Sequence, residues 1–263
     1  MTEQAWLPQG VDAHRPTDAR VHDYALGGKD NYAIDRAYAH KLLALIPEIG
    51  RLPVENAKFA RRASRHLRDI GIRQFLEVGC GLPRPGSIHE VAGPGSTVVY
   101  VDYDPVAVSH YQAVLCGNDS AGAIHADATK PGQVLDHPVV RQLIDFDRPV
   151  AVLMTYVLHL IADDKDPARI LRDFRAPLAS GSHLVLTHPT LELGGFANAD
   201  AMAFWNEHAT PPITARTGDE IASFVEGLDV LAPGIVSCAR WRPAPDRDPG
   251  PEVAQYGLVA RKR

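Results

Sequence analysis

Residues 75–86 read FLEVGCGLPRPG, an apolar run that meets a glycine turn and two prolines. Phe75 to Val78 has the content of a strand buried on both faces, and a glycine turn directly after such a strand is how a nucleotide-binding crossover opens. The glycines do not keep dinucleotide spacing. Counted from Gly79 and Gly81, the third glycine of G-x-G-x-x-G falls on Arg84, flanked by Pro83 and Pro85, and the next glycine is Gly86. A pyrophosphate needs backbone N–H donors at a helix N-terminus, and proline supplies none. The turn therefore suits a ligand without phosphates better than it suits NAD.

The same kind of strand recurs downstream. RQFLEVG (73–79), TVVYVD (97–102), AGAIHAD (121–127), RPVAVLM (148–154) and SHLVLTH (182–188) are short apolar runs separated by helical segments. That order predicts an α/β doubly wound parallel sheet with right-handed crossovers. LDVLAPGIV (228–236) and QYGLVARK (255–262) flank a Pro-rich loop, WRPAPDRDPGPE (241–252), and read as an antiparallel hairpin closing the sheet. Upstream, AYAHKLLALI (37–46) and VENAKFARRASRHLRDIG (54–71) carry apolar residues at helical steps, with Pro47 and Pro53 read as breaks and Gly71 as a stop. Three regions are expected: a loose tail over residues 1–16, a helical cap over 17–70, and a Rossmann-like domain over 71–263.

With 263 residues, 45% hydrophobic and 22% charged, the chain can bury a full core. A net charge of −5 gives no global attraction to nucleic acid or anionic membrane. The densest basic run, Arg61, Arg62, Arg65 and Arg68, reads as the solvated side of an amphipathic helix. No leader peptide or membrane-length apolar run is present, and Cys80, Cys116 and Cys238 are too widely spaced for a metal or thiol pair, so a reducing, cytoplasmic setting and no metal are expected.

S-adenosylmethionine is a phosphate-free ligand for the crevice at the strand ends. Asp102 ends the second strand, where a carboxylate can accept both ribose hydroxyls, with Tyr103 against the adenine. Asp127 ends the third, where it can accept from the adenine amino group while the Ala128 N–H meets a ring nitrogen. Glu77, a carboxylate inside a buried strand, needs a partner and would find one in the glycine loop or the ligand ammonium. Strand-end acids are also frequent caps and turn formers, so each reading alone is weak and their coincidence carries the weight.

At this point the chain resembles the class I S-adenosylmethionine-dependent methyltransferases, and more specifically an actinobacterial S-adenosyl methyltransferase family long known as a domain of unknown function. The resemblance rests on ARVHDYALGGKDNYAIDR (19–36), IRQFLEVGCGLPRPGSIHEVA (72–92), VVYVDYDPVAVSHYQAVL (98–115) and PVAVLMTYVLHLIADDKDPARI (149–170). It implies a seven-stranded sheet of order 3-2-1-4-5-7-6 with the last strand antiparallel. It leaves the methyl acceptor open.

Two readings of ALGGKDNY (25–32) stand: a helix-turn-helix corner, or a lid placing Tyr24, Gly28 and Asn31 at the methionine end with Arg20 on its carboxylate. Such a lid would keep water from a reactive sulfonium. Thr155 and Tyr156 follow the fourth strand, where cofactor and acceptor meet. His159 and His188, on the same sheet edge, are candidate proton acceptors, each also readable as a packed or backbone-bonded histidine; His89 and His208 are weaker candidates. Phe196, Phe204 and Trp205 could shape an acceptor pocket or be core. The resulting expectation is a monomeric or homodimeric methyltransferase acting on oxygen or nitrogen of a small molecule. A cofactor-binding protein without transfer is the alternative, and an NAD-dependent oxidoreductase is disfavoured by Arg84 and the prolines.

Overall fold

The computed structural model describes residues 14–193, 197–244, 248 and 250–263. Parallel strands β1 (Gln74–Val78), β2 (Thr97–Asp102), β3 (Ala121–His125), β4 (Ala151–Thr155) and β5 (His183–Pro189) are joined by helical crossovers. Two short strands, β6 (Asp229–Val230) and β7 (Val236–Ser237), and the longer β8 (Gln255–Arg261) complete the sheet. The order is β3-β2-β1-β4-β5-β8-β6, with β7 also on β8. β8 runs antiparallel to β5, β6 and β7. β6 and β7 lie along the same edge of β8, pairing at Ala260–Arg261 and Tyr256–Gly257, so together they form the expected sixth strand, split around Pro233. Proline cannot donate to a ladder and is tolerated there because the strand is at an edge.

Strand residues alternate between two cores. Leu76, Val78, Val99, Val101, Val152 and Met154 face one layer of helices: α6 (Pro131–Leu135), α7 (Pro138–Leu143), α8 (Pro167–Arg175) and α10 (Gly218–Phe224). Phe75, Val98, Tyr100, Ala151, Leu153 and Val259 face the other. That second layer comprises α3 (Arg51–Asp69), α4 (Ile88–Ala92) and α5 (Pro105–Val114), with Trp241 fully buried among them. A third, smaller core joins α1 (Asp18–Ala25), α2 (Ala33–Leu45) and α9 (Ala197–His208) through Val21, Tyr38, Leu42 and Trp205.

Helix α3 therefore lies on the sheet, while α1 and α2 pack with α9. Pro53 does not break α3: it sits in the first turn, where its missing N–H would have had no intrahelical acceptor. Nor is the arginine run of α3 simply solvated. Arg61 donates to the Pro85 and Gly86 carbonyls, Arg62 to those of Trp241 (2.9 Å) and Cys238 (2.6 Å), and Arg68 to that of Val91 (3.0 Å). These bonds tie the glycine loop and the region before β8 to one helix.

Candidate active site

The C-terminal ends of β1, β2 and β4 converge on a cavity of about 70 Å³, the expected place for a ligand on this topology. Its walls include Glu77, Gly79, Gly81, Arg84, Asp102, Tyr103, Ala128, Thr155 and Tyr156 from the sheet edge, and Asp18, Ala19 and His22 from α1. Gly79 and Gly81 have φ of 72° and 62°, a region that other residues enter at a cost, and a side chain on Gly79 would strike Val157. Asp102 braces the turn, accepting from the Gly81 N–H at 2.8 Å and the Asp104 N–H at 2.9 Å. Arg61 anchors the far side of the loop at the Pro85 and Gly86 carbonyls, so the two prolines leave its shape defined without offering phosphate donors.

The cavity is acidic. Burial pushes the Asp18 carboxyl up to about 7, with Asp102 adding to it. Burial likewise raises Glu77 to about 7, opposed by Arg84, and Asp102 to about 6. Glu77 is 1% exposed, its Oε1 is 3.8 Å from Arg84 Nη2, and its Oε2 has no hydrogen-bond partner. Three carboxyls against one guanidinium, with an orphaned buried oxygen among them, fit an amino-acid ligand that also carries a sulfonium. Arg84 can take the ligand carboxylate, Glu77 its ammonium and Asp102 the ribose hydroxyls.

Several residues singled out in the sequence lie elsewhere. Arg20 is buried in an ion pair with Asp35 (Nε to Oδ2 2.8 Å) and stacks over Tyr32, so it serves the α1–α2 junction. Tyr24 meets His40 Nε2 through its hydroxyl at 2.7 Å. Asn31 donates to Asp23 Oδ2 at 2.8 Å and to the Gly28 carbonyl at 3.1 Å, and a side chain at Gly28 would collide with Asp23. ALGGKDNY is thus a corner closed on Asp23, and the opposite face of α1 reaches the cavity. Asp127 also points away: it accepts from the Thr129 N–H and hydroxyl at 2.8 and 2.7 Å and pairs with Lys130. Its neighbours Ala126 and Ala128 line the cavity in its stead.

A second cavity of about 110 Å³ adjoins the first and shares Asp18, His22 and Tyr156 with it. Its other walls are mostly apolar, among them Leu42, Leu52, Met202 and Trp205, with His159 beside Tyr156 (ring centroids 4.4 Å). Phe204 packs on Tyr38 at 5.4 Å and lies outside this lining, while Phe196 falls outside the described residues. His159 is 1% exposed and is held well below the ordinary histidine range by burial and by neighbouring His188, His22 and Arg216. Its Nδ1 has no partner. His188 is fully engaged instead: Nδ1 lies 2.8 Å from the Pro189 carbonyl, and Nε2 lies 2.8 Å from Arg216 Nη1. A carbonyl requires a donor and a guanidinium requires an acceptor, so His188 is the neutral Nδ1–H tautomer with no nitrogen left for an acceptor molecule. Burial also brings its pKa down to about 4. His89 is bound to the Tyr100 hydroxyl at 2.7 Å and supports the loop after β1, and His208 meets the Phe204 carbonyl at 3.0 Å.

Tyr156 has a left-handed backbone (φ 67°), uncommon for an aromatic residue. Its ring lies between His22 (5.4 Å) and His159. Asp18, His22, Arg84 and Asn56 also line the acidic cavity, and none of them was picked out from the sequence as a site residue. The i, i+4 spacing of Asp18 and His22 placed them on one helical face, but nothing local said which face turns inward.

A family model described as S-adenosyl methyltransferase matches residues 4–263. A crystal structure of a methyltransferase candidate from Thermobifida fusca superposes with a TM-score of 0.91 at 36% identity, covering 98% of this chain and 99% of that one. A protein of the DUF574 family from Streptomyces avermitilis gives 0.89 at 33%, covering 96% and 99%. The mitomycin 7-O-methyltransferase MmcR shares the fold at 16% identity and a TM-score of 0.52, covering 93% of this chain and 68% of that one. No curated protein matches. The chain belongs to the S-adenosyl methyltransferase family, and its cofactor is S-adenosylmethionine.

Proposed function

We propose that the protein transfers the cofactor's methyl group to an oxygen or nitrogen of a small molecule held in the apolar cavity, under a cap formed by α1, α2 and α9. One observation carries this reading: the acidic cavity at the strand ends and the apolar cavity beside it share Asp18, His22 and Tyr156 as a common wall. Bound in the acidic cavity, S-adenosylmethionine supplies an electrophilic methyl on a sulfonium. Glu77, Arg84 and Asp102 hold and orient it. Tyr156 fixes the passage between the cavities, and positioning of this kind supplies several kcal/mol in a displacement reaction. Asp18, with no hydrogen bond to its carboxylate among the described residues, is available to take up a proton there. His188 is a positioning residue for Arg216 and the Leu158–Ile161 turn.

Three free cysteines, two of them buried, fit a reducing compartment, and we place the enzyme in the cytoplasm on that basis. No helix among the described residues is long and apolar enough to cross a membrane. The test is incubation with methyl-labelled cofactor and a fractionated extract. Label should enter a low-mass product and disappear with Asp102→Ala; label confined to protein or nucleic acid would overturn the small-molecule reading.

A further inference from the structure

The chemistry of the acceptor can be narrowed from the walls of the apolar cavity. Its mostly apolar walls enclose about 110 Å³, and an apolar protein cavity of about 150 Å³ admits benzene, so the buried part of this one has room for a ring. Among the described residues no lysine or arginine lines it. An anion here would lose its hydration without gaining a counter-charge, and it would face Asp18. A protonated amine would be set beside a cationic cofactor and has no lone pair with which to accept a methyl group.

Hydrogen-bonding capacity is gathered at one end. His22 Nε2 and His159 Nδ1 are both buried with no partner. Burial keeps both imidazoles neutral, bringing His22 down to about 3 with Arg84 assisting, and His159 well below its ordinary value. An unpaired buried nitrogen is costly, and a hydroxyl entering beside it removes that penalty whereas a ring edge does not.

Resting on the reading of this cavity as the acceptor site, we propose that it takes an uncharged, phenol-like alcohol, with its hydroxyl toward His22 and Asp18, and that Asp18 excludes the corresponding anions.

The probe is para-nitrophenol, which titrates near neutrality and reports its own protonation through the visible absorption of its phenolate. Protein saturated with S-adenosylhomocysteine is titrated into the probe at neutral pH. The phenolate band should fall, with the neutral form preferred by about tenfold, equivalent to one unit in the bound phenol's apparent pKa. Asp18→Asn should shrink that preference. Ala215→Trp, which fills the cavity from a partly exposed wall, should abolish the change in the band. Growth of the phenolate band, or no change in it, overturns the inference, as does para-nitrobenzoate competing as well as para-nitrobenzyl alcohol. Calorimetry of S-adenosylhomocysteine on each sample separates the two levels. Absent binding sinks the assignment of the site, whereas intact binding with an anion preference sinks only the substrate class.

Discussion

The backbone N–H of Tyr156 donates to the Thr187 hydroxyl at 2.7 Å, and that hydroxyl donates in turn to Asn56 Oδ1 at 2.7 Å. Asn56 Oδ1 also accepts from Gln255 Nε2 at 2.8 Å. A left-handed residue at the junction of two cavities is thus held by a buried chain reaching from β5 to α3 and β8. Thr187→Val keeps the shape and deletes the hydroxyl, stranding the Tyr156 N–H. We expect a stability loss of about 1–3 kcal/mol in chemical denaturation, together with weaker S-adenosylhomocysteine binding. Thr187→Ser should restore both; unchanged binding in the valine variant would show that Tyr156 is held by other means.

The two strand-end acids should behave differently. Asp102→Ala removes a group that lines the cofactor cavity and braces Gly81, so S-adenosylhomocysteine affinity should fall by about 1–3 kcal/mol in calorimetry. Asp127→Ala opens only a local turn with Thr129 and Lys130, so affinity should stay at the wild-type level.

Cofactor affinity should rise with pH. Glu77 and Asp102 in the free protein are raised to about 7 and about 6 from ordinary values of 4.5 and 3.8. A cationic ligand favours their ionised forms, so binding expels protons where they are still partly protonated. Affinity should therefore weaken as pH falls through 7 toward 6, and S-adenosylmethionine, with its sulfonium, should lose more than S-adenosylhomocysteine. The same shifts mean that the free folded state holds more protons than the unfolded chain between about 4.5 and 7, so these groups withdraw stability as pH rises and the ligand returns it. Calorimetry in buffers of different ionisation enthalpy measures the proton release directly.

His188 should stay neutral well into the acid range. Nitrogen-resolved NMR should show the Nδ1–H tautomer with a titration midpoint near about 4, because burial sets its pKa there. A midpoint near the ordinary histidine value would return it to the list of proton acceptors.

Removing one partner of the Arg20–Asp35 pair should be severe. Both side chains are almost fully buried, and Arg20→Met leaves a carboxylate without its charge partner. A loss of about 3–5 kcal/mol is expected from urea denaturation. A loss below about 1 kcal/mol, the level of an exposed pair, would contradict the burial.

What was legible in the chain follows from the range of the forces involved. Strands buried on both faces leave unbroken apolar runs, so the parallel sheet could be read, while its strand order came from the family resemblance; Gly79 and Gly81 adopt a conformation that few residues do. LDVLAPGIV was read as one strand, and it is instead two short ones on either side of Pro233. Asp127 was misread because an acid at a strand end can serve its own turn, and Thr129 two residues later was the available clue. Arg20 was misread because its partner, Asp35, lies beyond the helix that carries it. Helical periodicity in DARVHDYA places Asp18 and His22 on one face without saying whether that face meets the cofactor or solvent. Arg84 was noticed only for the glycine it replaces, although the carboxylates around it give it a partner.

The fastening of α3 bears on how the chain reaches this structure at all. Asn56 bonds to Gln255 across 199 positions, and Arg62 to the Trp241 carbonyl across 179. During synthesis α3 cannot complete its burial until β8 has been made. Contacts of such long sequence separation slow folding, and a nascent chain paused before residue 255 leaves uncovered the face of α3 that meets β8.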